Sequence, residues 1–288
     1  MIRSGRPRHW SRWLYRIQWL LLSVIGLGVV GVRVGLLDLD SAYALFGALG
    51  LAMIAVALFS MLVFLWGLVR RHGEARTAAL WAMVLGLVPV ALPLFTVGQH
   101  NLNTPALYDI TTDTVDPPQF DLLLSLRRDG DHSPDYPGPT SAKVQQATPA
   151  YSDIQPLILS LPVSDVLTHA EAVARELGWR VIAVKAGQGR LEAVDSTPIL
   201  GITQDIVVRV RPVGESTKPD SSGTGTETGA KDAKGADVKE AAAGEAGSSD
   251  VRVDMRSASR TGNRDLGSNA ARIRKFMRRL ERRVEGAR

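Results

Sequence analysis

Two segments place short hydroxyl, carboxylate and guanidinium side chains in close order. One runs Asp109-Ile110-Thr111-Thr112-Asp113-Thr114 and continues to Asp116-Pro117-Pro118. The other runs Asp254-Met255-Arg256-Ser257-Ala258-Ser259-Arg260 and continues through Gly262, Asp265, Gly267, Asn269, Ala270 and Arg272. Short polar side chains bond back to nearby backbone and favour turns and caps. Guanidinium forks match carboxylates and phosphates two bonds at a time. Two chemistries follow. In one, Arg256, Arg260 and Arg272 pair with Asp109, Asp113 or Asp254 in a buried structural network. In the other, Asp109, Thr112, Asp113, Asp254, Arg256, Ser259, Arg260, Asp265, Asn269 and Arg272 line a pocket for a phosphate or carboxylate group. Arg272 fits the structural role, because it starts a helix beside Asp265 and Asn269. Arg260 fits the binding role, because it sits in a glycine-bounded loop where exposed polar groups gather.

Catalysis is poorly supported. The chain has no cysteine, so it has neither a thiol nucleophile nor a disulfide framework. No two histidines have metal-ligand spacing. Asp109, Asp113 and Asp116 lack the glycine turn and distal glutamate of a calcium loop. Gly187 and Gly189 lack the third glycine and the helix of a dinucleotide-binding turn. An envelope hydrolase is the alternative, using a carboxylate site or Ser257 or Ser259 with His169, since triads assemble across a fold. No cofactor is implied.

The elements that must position these residues lie in a domain behind a membrane region. Ile17 to Val32 is almost continuously apolar, Ala42 to Val69 is free of formal charge, and so is Ala78 to Val97. About 20 apolar helical residues cross a bilayer core. Residues 1–98 therefore read as a transmembrane region with spans at about 17–37, 42–69 and 78–97. A cleaved signal peptide competes weakly: Ala42-Tyr43-Ala44 has the small-x-small form, but it lies inside the second apolar stretch. Arg3, Arg6, Arg8, Arg12 and Arg16 precede the first span, and Arg70, Arg71 and Arg76 separate the second from the third. The first loop carries Asp38 and Asp40 with Arg33 alone. Basic clusters stay cytoplasmic, which puts the N-terminus inside and residues 99–288 outside the plasma (inner) membrane, periplasmic in a Gram-negative cell and otherwise extracellular.

The net charge of +5 is an average over unlike regions. Residues 1–100 balance to +6, residues 101–250 to −9 and residues 251–288 to +8. The basic tail has no aromatic stacking platform and belongs to an exported domain, so nucleic acid is not an expected partner. The bilayer is one expected partner. An envelope protein or an anionic lipid is another.

Within the exported part, Gln99 to Pro149 holds seven prolines and reads as an extended, loop-rich lead. Ser164 to Leu177 reads as a helix capped by Ser164 and stopped by Gly178, with Val166, Leu167, Ala170, Val173, Ala174 and Leu177 on one face. His169 lies beside that stripe. Strands are expected from Trp179 to Lys185, Arg190 to Asp195, Asp205 to Arg211 and Val251 to Ser257, the first two joined by a turn at Gly187-Gln188-Gly189. Residues 214–249 are almost all small or charged and read as a disordered hairpin insertion. Asn269 to Val284 reads as a helix with Ile273, Phe276, Met277, Leu280 and Val284 inward. Arg274, Lys275, Arg278, Arg279, Arg282 and Arg283 make a basic outer face, solvated or set against acidic headgroups. The expected architecture is three transmembrane helices plus an α+β domain whose antiparallel sheet is covered by two helices.

The chain resembles domain-of-unknown-function family 1499. The likeness rests on Asp109 to Pro118, on Tyr151 with Asp153, Ile154 and Pro156-Leu157, on Gly189 to Ala193, on Asp205 to Val210, and on Asp254 to Phe276. It covers roughly residues 101 to 285 without the insertion. Gln204 departs from it, where similar members often carry a second aspartate before the strand. The resemblance implies a membrane-associated module of bacterial or plastid type and supplies no activity. The expected function is accordingly a membrane-anchored envelope module that binds a partner or an anionic amphiphile near the bilayer without catalysis.

Overall fold

The computed structural model describes residues 10–96, 104–213, 250–264 and 266–287. Its first part is helical: α1 (Arg12–Arg33), α2 (Leu39–Val69), α3 (Gly73–Gly86) and, after Leu87, α4 (Val88–Thr96). Arg12–Arg33, Leu39–Val69 and Gly73–Leu92 are each long and apolar enough to cross a membrane. Even the 20 residues of the shortest rise about 30 Å, the thickness of a hydrocarbon core. Small residues let the helices approach. A Cβ on Gly86 would lie 2.4 Å from the Ala57 side chain and 2.7 Å from Gln18 Nε2. Gln18 is fully buried, and its Nε2 donates to Met53 O (2.8 Å) and Ala82 O (3.1 Å). One amide thus ties α1 to both α2 and α3, where hydrocarbon offers no competing partner.

The second part is an α+β domain. Its strands are β1 (Asp109–Thr111), β2 (Leu157–Leu159), β3 (Arg180–Lys185), β4 (Arg190–Ser196), β5 (Thr203–Pro212) and β6 (Val251–Ser259). They form one antiparallel sheet in the order β1-β6-β5-β4-β3, and β2 shares the β1 edge of β6. Its helices are α5 (Pro139–Ala147), α6 (Val163–Glu176) and α7 (Ser268–Glu285). Helix α6 packs on β3, β4 and β5, and α7 on β6, β1 and β2. Alternation drives the assembly: Ile206, Val208, Val210, Val251, Val253 and Met255 turn to the helices and are buried with Val166, Leu167, Ile273, Phe276 and Leu280. Trp179 stacks on Phe276 at 5.2 Å. The opposite face is covered by irregular chain, where Phe120 and Leu123 pack on Val194, Val207 and Ala258.

The sheet has six strands where four were expected. The proline-rich lead supplies β1, a 3-10 turn at Leu122–Leu126 and the short helix α5, whose first residue is Pro139. Proline at that position loses no helical hydrogen bond. Ser164 does not cap α6. The helix starts at Val163 after Pro162, and Ser164 Oγ donates to Asp165 Oδ1. The expected insertion, residues 214–249, lies outside the described residues, as does Asp265.

The two ends of the sheet differ in surroundings. At one end, the β4–β5 turn meets the bundle: Arg33 Nη1 donates to Pro198 O (2.7 Å) and Ile199 O (3.2 Å). Gly262, just past β6, approaches Leu39 so closely that a Cβ would lie 2.7 Å from its side chain. The other end carries the β3–β4 turn and Val251, roughly 25–30 Å away along β6.

Candidate functional site

The sheet separates the sequence-predicted residues into groups on opposite faces. On the loop-covered face, Arg256 is fully buried against Asp109. Its Nε lies 3.0 Å and its Nη2 2.6 Å from the carboxylate, while Nη1 and Nη2 also donate to Pro118 O and Pro134 O. Its guanidinium lies over the Phe120 ring at 4.5 Å. Burial pushes the Asp109 carboxyl up, against the opposing pull of Arg256. Burial and the Asp109 charge push the nearby Tyr136 phenol up to about 12. Arg260 is likewise buried: Nε and Nη2 donate to Asp205 Oδ1 (2.9 and 2.7 Å) and Nη1 to Leu126 O. Arg127 reaches the other oxygen of Asp205 at 2.8 Å.

Further along the same face, Asp113 and Asp254 take different partners from those expected. Arg252 Nη2 lies 2.7 Å from Asp113, and Arg252 Nε lies 2.9 Å from Asp254 Oδ1. Arg209 and Arg211 bridge Asp113, Asp116 and Asp254 at 2.9 to 3.6 Å. Thr112 continues the β1 ladder, exchanging backbone and side-chain bonds with Met255. Alternation along β5 and β6 puts Arg209, Arg211 and Arg252 on this face, where they neutralise Asp113 and Asp254.

On the helix-covered face, Ser257 Oγ donates to Asn269 Oδ1 (2.7 Å), and Asn269 Nδ2 donates to Ser259 Oγ (3.0 Å) and Tyr108 O. Gln204 Nε2 donates to Ser259 and to Ser268. Arg272 pairs with Asp195 at 2.7 Å, not with Asp109, Asp113 or Asp254. These bonds fasten the start of α7 to β5 and β6. Asn269 does not cap α7, whose N-cap is Gly267. The two serines do not meet His169. That residue shares a small hollow with Leu161, Asp165 and Val284, fifteen residues further along α7 than Asn269. Fifteen helical residues rise about 22 Å. The Ser–His arrangement of a hydrolase is therefore not assembled.

Charge that is not spent internally collects elsewhere. A cleft of about 1100 Å³ opens where the bundle meets the domain. Its walls are the α1–α2 connection (residues 32–39), residues 126–131, the starts of β3 and β5 with the end of β4, and Arg260 and Thr261. Arg128 and Arg180 are exposed there. Sequence reasoning passed over this site, because its walls come from segments far apart in the chain. The signals present were the charged run Arg127-Arg128-Asp129-Gly130-Asp131 and the lone basic residue, Arg33, of the first loop. Among the described residues, no group of three or more His, Cys, Asp and Glu side chains could hold a metal ion.

The basic outer face of α7 is not at this end. The helix starts at Gln204 and Ser259, near the bundle, and finishes beside Leu161 and His169. Leu161 follows β2, whose Leu159 pairs with Val251 at the far end of β6. Most of the α7 arginines thus stand away from the bundle.

No curated protein and no solved structure matches the chain. The family described as protein of unknown function (DUF1499) matches residues 109–220 and 237–280. Those residues hold all six strands, α6, most of α7 and nearly all of the ion-pair network. The family match stops short of the three apolar helices, and the chain belongs to the DUF1499 family of proteins of unknown function.

Proposed function

We propose that this protein is a membrane-anchored, non-catalytic module that binds an amphiphile with an anionic head beside the bilayer. The observation that carries the reading is the cleft between the α1–α2 connection and the sheet. A span end lies at the bilayer interface, so a cavity walled by residues 32–39 is within reach of lipid headgroups. Arg128 and Arg180 enter it, and the sequence-predicted arginines Arg256, Arg260 and Arg272 are already engaged by carboxylates. The arginine clusters before α1 and between α2 and α3 support a cytoplasmic N-terminus and a domain on the opposite side. In a Gram-negative cell that side is the periplasm, and the membrane the inner one.

Native mass spectrometry of the full chain, extracted in a mild detergent, tests the reading. The expected result is a retained phosphate-bearing lipid. A bare chain, or a stoichiometric envelope protein in place of a lipid, would overturn it.

A further inference from the structure

The charges in the cleft describe more than an anionic ligand. Four arginines and four aspartates line it. Some are engaged within the protein: Arg260 by Asp205, and Asp195 by Arg272. Asp131 accepts the Arg128 backbone N–H and lies 3.9 Å from Arg260. Arg33 donates to two carbonyls, so its charge meets no carboxylate there. The side chains of Arg128, Arg180 and Asp129 are exposed, with no side-chain hydrogen bond or ion pair among the described residues. Asp38 accepts from Ser41 at the start of α2, an arrangement that holds its carboxyl below the usual carboxylate range. Positive and negative groups therefore face the same space.

An amphiphile that satisfies both must carry an anion and a cation. The cation must donate hydrogen bonds, because carboxylates recognise N–H groups. Among the described residues no aromatic side chain lines the cleft, so a quaternary ammonium would find no aromatic cage there. We propose that the cleft holds the headgroup of a phospholipid bearing a primary ammonium. The phosphate lies against Arg128 and Arg180, and the ammonium against Asp38 and Asp129. Val34 and Leu37, beside them on the α1–α2 connection, meet the start of the chains. This rests on the amphiphile reading above and adds the cation to it.

The test uses the full chain in detergent, offered equal amounts of phosphatidylethanolamine, phosphatidylglycerol and phosphatidylcholine, with retention read by native mass spectrometry. Phosphatidylethanolamine should be retained about tenfold over phosphatidylcholine, a difference one well-placed charged hydrogen bond can supply. Arg128→Ala with Arg180→Ala should lower retention of every phospholipid. Asp38→Ser keeps a capping oxygen for α2, and combined with Asp129→Asn it should erase the preference for phosphatidylethanolamine while leaving total retention in place. All variants alter exposed side chains and should unfold at the wild-type midpoint. Preference for phosphatidylglycerol would overturn this inference and leave the amphiphile reading standing. Retention of no lipid would overturn both. Inorganic phosphate that displaces the lipid at millimolar concentration would reveal a free-phosphate site and also overturn it.

Discussion

Arg256 and Asp109 form a bidentate ion pair in which both side chains are almost wholly shielded from water. The pair joins β1 to β6 beneath Phe120. Removing one partner leaves a buried charge alone, so Arg256→Ala or Asp109→Ala should lower stability by about 3–5 kcal/mol. Replacing both by apolar residues of similar volume should cost much less. Chemical denaturation of the solubilised chain measures this. A single variant within about 1 kcal/mol of wild type would show that the pair is not buried as described.

Much of this fold is legible in the chain. Alternation of Ile206, Val208 and Val210 along the chain gives β5 its core face, and the stripe through Ile273, Phe276 and Leu280 gives α7 its own. The three apolar helices follow from length and composition alone. Strands β1 and β2 were not legible, because three residues carry no period and both exist through pairing with β6. The polar residues were legible as a group, and of the expected pairings Arg256 with Asp109 forms, whereas Arg260 and Arg272 take other carboxylates. Residues on opposite faces of a strand, such as Arg256 and Ser257, are neighbours in sequence and separated by the sheet. Asp205 and Asp195, which take Arg260 and Arg272, read simply as strand residues. The cleft was invisible, since its walls meet only through tertiary contact.

Gly189 is required by its backbone. Its φ is +59°, and a Cβ there would lie 2.0 Å from Val210 O. Gly189→Ala should cost at least about 1 kcal/mol, because strain and steric overlap act together. Gly187, two residues earlier, faces open space, and Gly187→Ala should be close to neutral. Thermal unfolding of the two variants side by side checks the contrast; equal midpoints would contradict the turn geometry.

Asp153 and Arg274 pair at 2.6 Å between the segment before β2 and helix α7. The Arg274 hydrogen bond, partly opposed by burial, holds the Asp153 carboxyl below its usual range. A depressed carboxylate stabilises the fold above the unfolded value near pH 4, and that contribution is lost as the pH falls through the lower folded value. Asp153→Asn should therefore flatten the decline in stability below about pH 4. The change should stay under about 1 kcal/mol, because the pair is partly exposed. An unchanged acid profile in this variant would remove the pair from the account.

Orientation has its own consequence. A periplasm-active reporter fused after Leu126 should be active, and a cytoplasm-active reporter at the same place should be silent. The reverse pattern would put the cleft on the cytoplasmic face and contradict the arginine-cluster argument.

The central claim is that a bilayer amphiphile occupies the cleft, and a photoreactive benzophenone side chain at Leu200 tests it most directly. Leu200 lines the cleft, while Val213 is exposed at the far end of the sheet. Irradiation of intact membranes should add the mass of a phospholipid to the chain labelled at Leu200 and leave the chain labelled at Val213 unmodified. Lipid addition at neither position, or equally at both, would contradict the account.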